Sequence, residues 1–198
     1  MYAKKEGAMT QGARRWIGLL IVCAFIPGCL LNSVHPISGP PTTKPDRAHA
    51  IVVIGIGLDV TWPYSEFNLT FPEYSVEMQS ITGNCFHYNR IEATRPPIPA
   101  KVAYLAFEVP TNAYVYISPL DIADTHHAPS PFGHAFIAPP GATVYFGDYV
   151  LVGNKTVEFR RDINAARLAA KKLLPHDALL ELAESTVAPG AHIPLCTP

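Results

Sequence analysis

Between positions 50 and 161 the apolar residues come in short runs, many alternating with polar ones and all broken by turn-forming residues. Alternation with a period of two sends successive side chains to opposite faces, which is the pattern of strands. The runs are residues 50–62 (AIVVIGIGLDVTW), 75–81 (SVEMQSI), 85–89 (CFHYN), 101–109 (KVAYLAFEV), 113–118 (AYVYIS), 134–138 (HAFIA), 143–152 (TVYFGDYVLV) and 155–161 (KTVEFRR). In the second run Val76, Met78 and Ser80 are expected to face one way. Several short strands with turn signals between them and no intervening helix predict a mainly β chain, an antiparallel β-sandwich.

Two of these regions echo each other. FEVPTNAYVY (107–116) and FIAPPGATVY (136–145) place Phe, Pro, Ala, Val and Tyr at matching positions. Each reads as strand, Pro-led turn, strand, so residues 101–109 are expected to pair with 113–118, and 134–138 with 143–152. The eight aromatic side chains Tyr104, Phe107, Tyr114, Tyr116, Phe136, Tyr145, Phe146 and Tyr149 are assigned mostly to the core.

The period then changes. Asp162 is a good N-cap for INAARLAAKKLL, in which Ile163, Ala166, Ala170 and Leu173 form a narrow apolar stripe. Pro175 stops that helix, and ALLELAES (178–185) reads as a second, ended by Pro189 and Gly190. The fold class is therefore an antiparallel β-sandwich with one or two C-terminal α-helices over about 162–185.

The first 28 residues follow neither period. Arg14 and Arg15 precede an unbroken apolar run, residues 16–26, that rises only about 16 Å as a helix against a hydrocarbon core of roughly 30 Å. A basic start, a short apolar middle and a small residue before a boundary describe a secretory signal. The boundary Ile26-Pro27-Gly28-Cys29 resembles the lipobox of bacterial lipoproteins. That resemblance implies removal of residues 1–28 and attachment of a diacylglyceride to Cys29, with Pro27 standing where the family has Ala, Ser or Thr. By the same resemblance, Leu30 after the cysteine favours sorting to the outer membrane, facing the periplasm; the alternative is a secreted or periplasmic soluble protein.

Residues 29–49 include four prolines with Ser, Thr and Gly, and are expected to form a semi-extended tether that could hold the domain as far as roughly 60 Å from the lipid. Residues 50–198 are the domain. In an oxidising compartment Cys85 and Cys196 are expected to form a disulfide, closing a loop worth up to roughly 4.7 kcal/mol in chain entropy.

FIAPPGATVYFGDYVLVG (136–153) resembles segments of uncharacterised proteobacterial lipoproteins and of transthyretin-like sandwich modules, which implies a sandwich and no catalytic residue.

Charge excludes one class of partner. The basic residues of the first 28 are removed with the signal, leaving a body more acidic than the whole-chain net charge of -1, with no electrostatic footprint for nucleic acid. GIGLD (55–59) is not followed by a helix start, so no nucleotide site is expected. The densest polar set is DIADTHHAPSPFGH, where Asp121, Asp124, His126, His127 and His134 are candidate metal ligands. No nucleophile elbow, HExxH or Walker loop is present, and no cofactor is expected.

The sequence thus reads as a lipid-anchored envelope protein without evident catalysis, a structural module or one that binds an envelope protein. Two alternatives remain: a metal-binding or hydrolytic lipoprotein using His126, His127 and His134, and a small-ligand-binding module.

Overall fold

The longest apolar run of the body forms a strand, His49–Leu58, in which every residue from Ala50 onward is buried. It is covered on both sides. Ala50, Val52, Ile54, Ile56 and Leu58 enter one core cluster, while Ile51 and Val53 enter another on the opposite face. A strand buried on both faces carries a continuous apolar run, and this one does.

The structure, a computed structural model, describes residues 32–41, 43–82, 89–96, 98, 101–116, 132–153 and 156–189. The described strands are β1 (Asn32–Val34), β2 (His49–Leu58), β3 (Phe67–Ser75), β4 (Ser80–Ile81), β5 (Asn89–Arg95), β6 (Ala103–Pro110), β7 (Asn112–Val115), β8 (Phe132–Ala138), β9 (Thr143–Val152), β10 (Thr156–Arg160), β11 (Glu181–Leu182) and β12 (Ser185–Pro189); the described helix is α1 (Ile163–Ala170). The chain is mainly β. A seven-stranded sheet runs β1-β5-β3-β7-β8-β12 with β4 beside β3, and a five-stranded sheet runs β10-β9-β2-β6 with β11 beside β9. Phe71, Ile91, Tyr114 and Phe136 of the first meet Ile54, Phe107, Phe146 and Tyr149 of the second in a shared core.

Both sheets are mixed, which corrects the antiparallel expectation: β1 runs parallel to β5, and β2 and β11 run parallel to β9. The two expected hairpins are also absent. β6 pairs with β2, β7 with β8 and β3, and β8 with β7 and β12. The echoing segments are corners between sheets. Only Thr111 separates β6 from β7, which is too little for a two-residue hairpin loop, so the chain bends from the five-stranded sheet into the seven-stranded one. Residues 139–142 carry it back. The corners sit together, since Thr111 N–H donates to Ala48 O at 3.0 Å and Gly141 N–H to His49 O at 2.9 Å.

SVEMQSI is not a strand either. Ser75 ends β3, residues 76–79 turn, and Ser80 and Ile81 return to pair with Ser75 and Tyr74. Gln79 takes a φ of 51°, and Val76 and Met78 stand exposed. β3 lies outside the expected runs, because Pro72 interrupts FNLTFPEYS. The proline is accommodated where the ladder with β5 ends, at Pro72, and that with β7 begins, at Glu73.

α1 is capped as expected, the Asp162 carboxylate accepting from the Asn164 and Ala165 amides at 3.1 and 3.0 Å. Its stripe packs Ala166 and Ala170, flanked by Ile163 and Leu173, on Ile51, Val53, Ala106 and Tyr145 of the five-stranded sheet. The second expected helix is corrected: residues 178–185 lead into β11 on β9 and β12 on β8. Eight residues make a marginal helix alone, whereas the edges of β8 and β9 offer open backbone groups. Ala183 N–H donates to Tyr145 O at 3.0 Å, and Ile137 N–H to Glu184 O at 2.9 Å.

The Pro-rich segment lies against the domain instead of standing off from it. Asn32–Val34 pair with Asn89, Arg90 and Ile91 of β5, and the Arg90 Nε donates to Ser33 Oγ at 3.1 Å. Further on, Ile37 N–H donates to Ala106 O at 2.9 Å, its side chain joins the cluster under α1, and Lys44 pairs with Asp177 at 3.1 Å.

Candidate functional site

β9 carries a bulge that decides where its one carboxylate goes. Val53 of β2 stands opposite Tyr145, but the next residue, Ile54, stands opposite Gly147. Phe146 is therefore extra, and the alternation shifts by one. Val144 and Phe146 point into the core between the sheets, and so do Tyr149 and Leu151. Asp148 is thereby sent to the other face, beside Tyr104 and Tyr145. Unbroken alternation from Val144 would have aimed it into the apolar core.

Asp148 is 5% exposed. The Tyr104 hydroxyl donates to its Oδ2 at 3.3 Å. Its Oδ1 and the buried Tyr145 hydroxyl nearby find no partner at hydrogen-bond geometry. Gly55 of β2 makes room, since a Cβ there would lie 2.0 Å from Oδ1. Burial pushes the Asp148 carboxyl above its ordinary value; the two phenols and Arg160 oppose that, and Asp162 adds to it. Burial, and then Asp148, push both phenols above their usual range. The chemistry open to this cluster is the uptake of a proton under the cover of α1's sheet face.

Its sign can be measured. A carboxyl raised in the folded state binds protons more tightly there than in the unfolded chain, so stability falls as pH climbs from the ordinary carboxylate range, near 3.8, through the raised value. Asp148→Asn keeps an acceptor for Tyr104 and gives the Tyr145 hydroxyl a donor. The variant is expected to be more stable than wild type at pH 7 by about 1 kcal/mol, the difference vanishing below the carboxylate range. Urea unfolding at a series of pH values checks it; a variant less stable at neutral pH would show that the carboxylate is favourable where it stands.

A second buried charge, Arg95, ends β5 and is 4% exposed. Its guanidinium donates to four backbone carbonyls: Ile56 at 2.7 Å, Lys101 at 2.5 Å, Pro96 at 3.0 Å and Ile98 at 3.1 Å. It joins the seven-stranded sheet to β2 of the five-stranded one and holds the connection between β5 and β6. Burial lowers its pKa.

Of the residues singled out in the sequence, Cys29, Cys85, Asp121, Asp124, His126, His127 and Cys196 lie outside the described residues. His134 lies on β8, exposed, its ring stacked at 6.4 Å on Phe159 and 6.4 Å from Phe136. Among the described residues no group of three His, Cys, Asp or Glu side chains could hold a metal ion. No described helix is long and apolar enough to cross a membrane. Sequence reasoning missed Asp148 and Arg95 because each looks like an ordinary surface charge in its run; the Gly-Asp pair inside an otherwise apolar strand was the available signal.

Comparison with protein-family models, with curated proteins and with solved structures finds no match to this chain. The functional reading therefore rests on its own residues.

Proposed function

We propose that this chain is a lipoprotein of a bacterial cell envelope, held by acyl chains on Cys29 and facing the periplasm from the outer membrane. Its two sheets form a β-sandwich with α1 on an outer face, and the domain serves as a structural or protein-interaction module. One observation carries the reading: a basic, short apolar leader ends in Ile26-Pro27-Gly28-Cys29, and β1 begins three residues later, at Asn32. The two buried charges support a non-catalytic role. Arg95 is spent on backbone carbonyls, and Asp148 is closed in beneath its two phenols. Two or three acyl chains anchor firmly, at about 0.8 kcal/mol per buried methylene. In that compartment Cys85 and Cys196 form a disulfide.

The anchor is tested by membrane fractionation and intact mass. Wild type is expected in the membrane fraction with a mass that begins at an acylated Cys29. Cys29→Ala is expected to carry no acyl mass and to keep residues 1–28, and the same variant produced without residues 1–28 is expected to lose membrane association almost completely while keeping the fold. Equal partitioning of wild type and the shortened variant would defeat the reading.

A further inference from the structure

Residues 76–79, the turn between β3 and β4, expose two large apolar side chains: Met78 is 67% exposed and Val76 45%. The register places this turn relative to the start of the domain. Asn32 of β1 stands opposite Asn89 of β5, and β5 pairs Arg90 with Pro72 of β3, so Glu73 falls in the same row as Asn32. The Asn89 and Asn112 side-chain amides both donate to the Glu73 carboxylate, tying that row together. β3 continues past the row through Tyr74 and Ser75 to the turn. The turn thus projects about 7 Å or more beyond the row, and about 10 Å to the side of β1. Cys29 lies three residues before Asn32, a reach of at most about 11 Å in any direction. The two residues between are Leu30 and Leu31, both apolar.

We infer that the turn carrying Val76 and Met78 docks on the lipid surface beside the acylated Cys29, seating its two apolar side chains at the boundary between headgroups and acyl chains. The inference rests on the acylation of Cys29 proposed above. With β1 already in the sheet, no long leash separates anchor from domain. The end of the seven-stranded sheet that holds Asn32 must stay within a few residues' length of the bilayer, and among the described residues the turn presents two large exposed apolar side chains there. Glu77 between the two apolar residues suits a zwitterionic headgroup better than an anionic one.

Met78 is the one methionine left once residues 1–28 are removed, the others being Met1 and Met9. Its oxidation is therefore a reporter that needs no substitution in the domain. The acylated wild-type protein is reconstituted in phosphatidylcholine vesicles, and Cys29→Ala produced without residues 1–28 is mixed with the same vesicles. Flotation measures attachment, and the rate of Met78 sulfoxide formation by the water-confined oxidant chloramine-T is read by mass spectrometry. Wild type is expected to float and to oxidise about tenfold more slowly than Cys29→Ala, as for a side chain seated in the interface nine-tenths of the time. Flotation with equal oxidation rates would overturn the docking and leave the anchor standing. A wild type that does not float would overturn both.

Discussion

Replacing Gly147 with alanine is expected to destabilise the domain by about 3 kcal/mol, with the urea midpoint falling and the slope of the transition unchanged. Two costs add at this position. The backbone holds a φ of 152°, a conformation that L side chains rarely adopt. A Cβ would also lie 2.2 Å from the Phe159 Cε2 and 3.0 Å from the Arg160 carbonyl oxygen, both on β10. Phe159 is 40% exposed, so its ring can swing aside; the Arg160 carbonyl belongs to the ladder with β9 and cannot. Adding Phe159→Ala is therefore expected to recover only part of the loss. Full recovery would mean that the ring contact alone makes glycine necessary and that the bulge tolerates a side chain. The bulge is what puts Asp148 outside the core and Tyr149 inside it, so loss of its geometry is costly on both faces of β9.

The second large loss is expected at Arg95. Arg95→Met keeps much of the side chain's length and apolar stem but removes every donor, leaving the Ile56, Pro96, Ile98 and Lys101 carbonyls without the guanidinium. Stranding buried carbonyls costs about 1–3 kcal/mol each when water cannot replace the donor. Some of these carbonyls border the surface, since Ile98 is exposed, so a total near 3 kcal/mol is the expected reading by urea unfolding. Arg95→Lys is expected to fall between, because a lysine presents a compact ammonium where a planar fork of donors is required. Hydrogen exchange should quicken first in residues 101–103 and at the Ile56 end of β2. A methionine variant as stable as wild type would show that desolvating the guanidinium offsets all four bonds, as happens for some buried ion pairs.

How much was legible can be argued residue by residue. β2 was readable because an unbroken β-branched apolar run has few other uses. The Asp162 cap and the Ala166/Ala170 stripe were readable because a helix start and its buried face are set within one or two turns. β3 was hidden by Pro72, whose place at a change of partners depends on strands far along the chain. Residues 75–81 alternate correctly for a strand and still turn at Gln79. The echo of 107–116 and 136–145 was real as a local pattern but misread in three dimensions. A Pro-led turn between apolar strands serves a sheet-to-sheet corner as well as a hairpin. The candidate polar cluster around Asp148 was signalled only by the Gly-Asp pair in an apolar run, since one inserted residue, Phe146, decides which face Asp148 and Tyr149 take.

By itself the sequence determined the β-rich body, the capped helix and the apolar positions available for burial. All of these follow from interactions within a few residues: capping bonds and local periodicity. Tertiary structure alone decided which strands are neighbours and in which direction they run. It also turned residues 181–189 into edge strands, laid residues 32–37 along the domain, and sent Asp148 and Arg95 to their buried places. Those outcomes turn on open backbone groups at sheet edges and on contacts between residues distant in sequence, where a hydrogen bond satisfied across the fold outweighs the small preferences of the local chain.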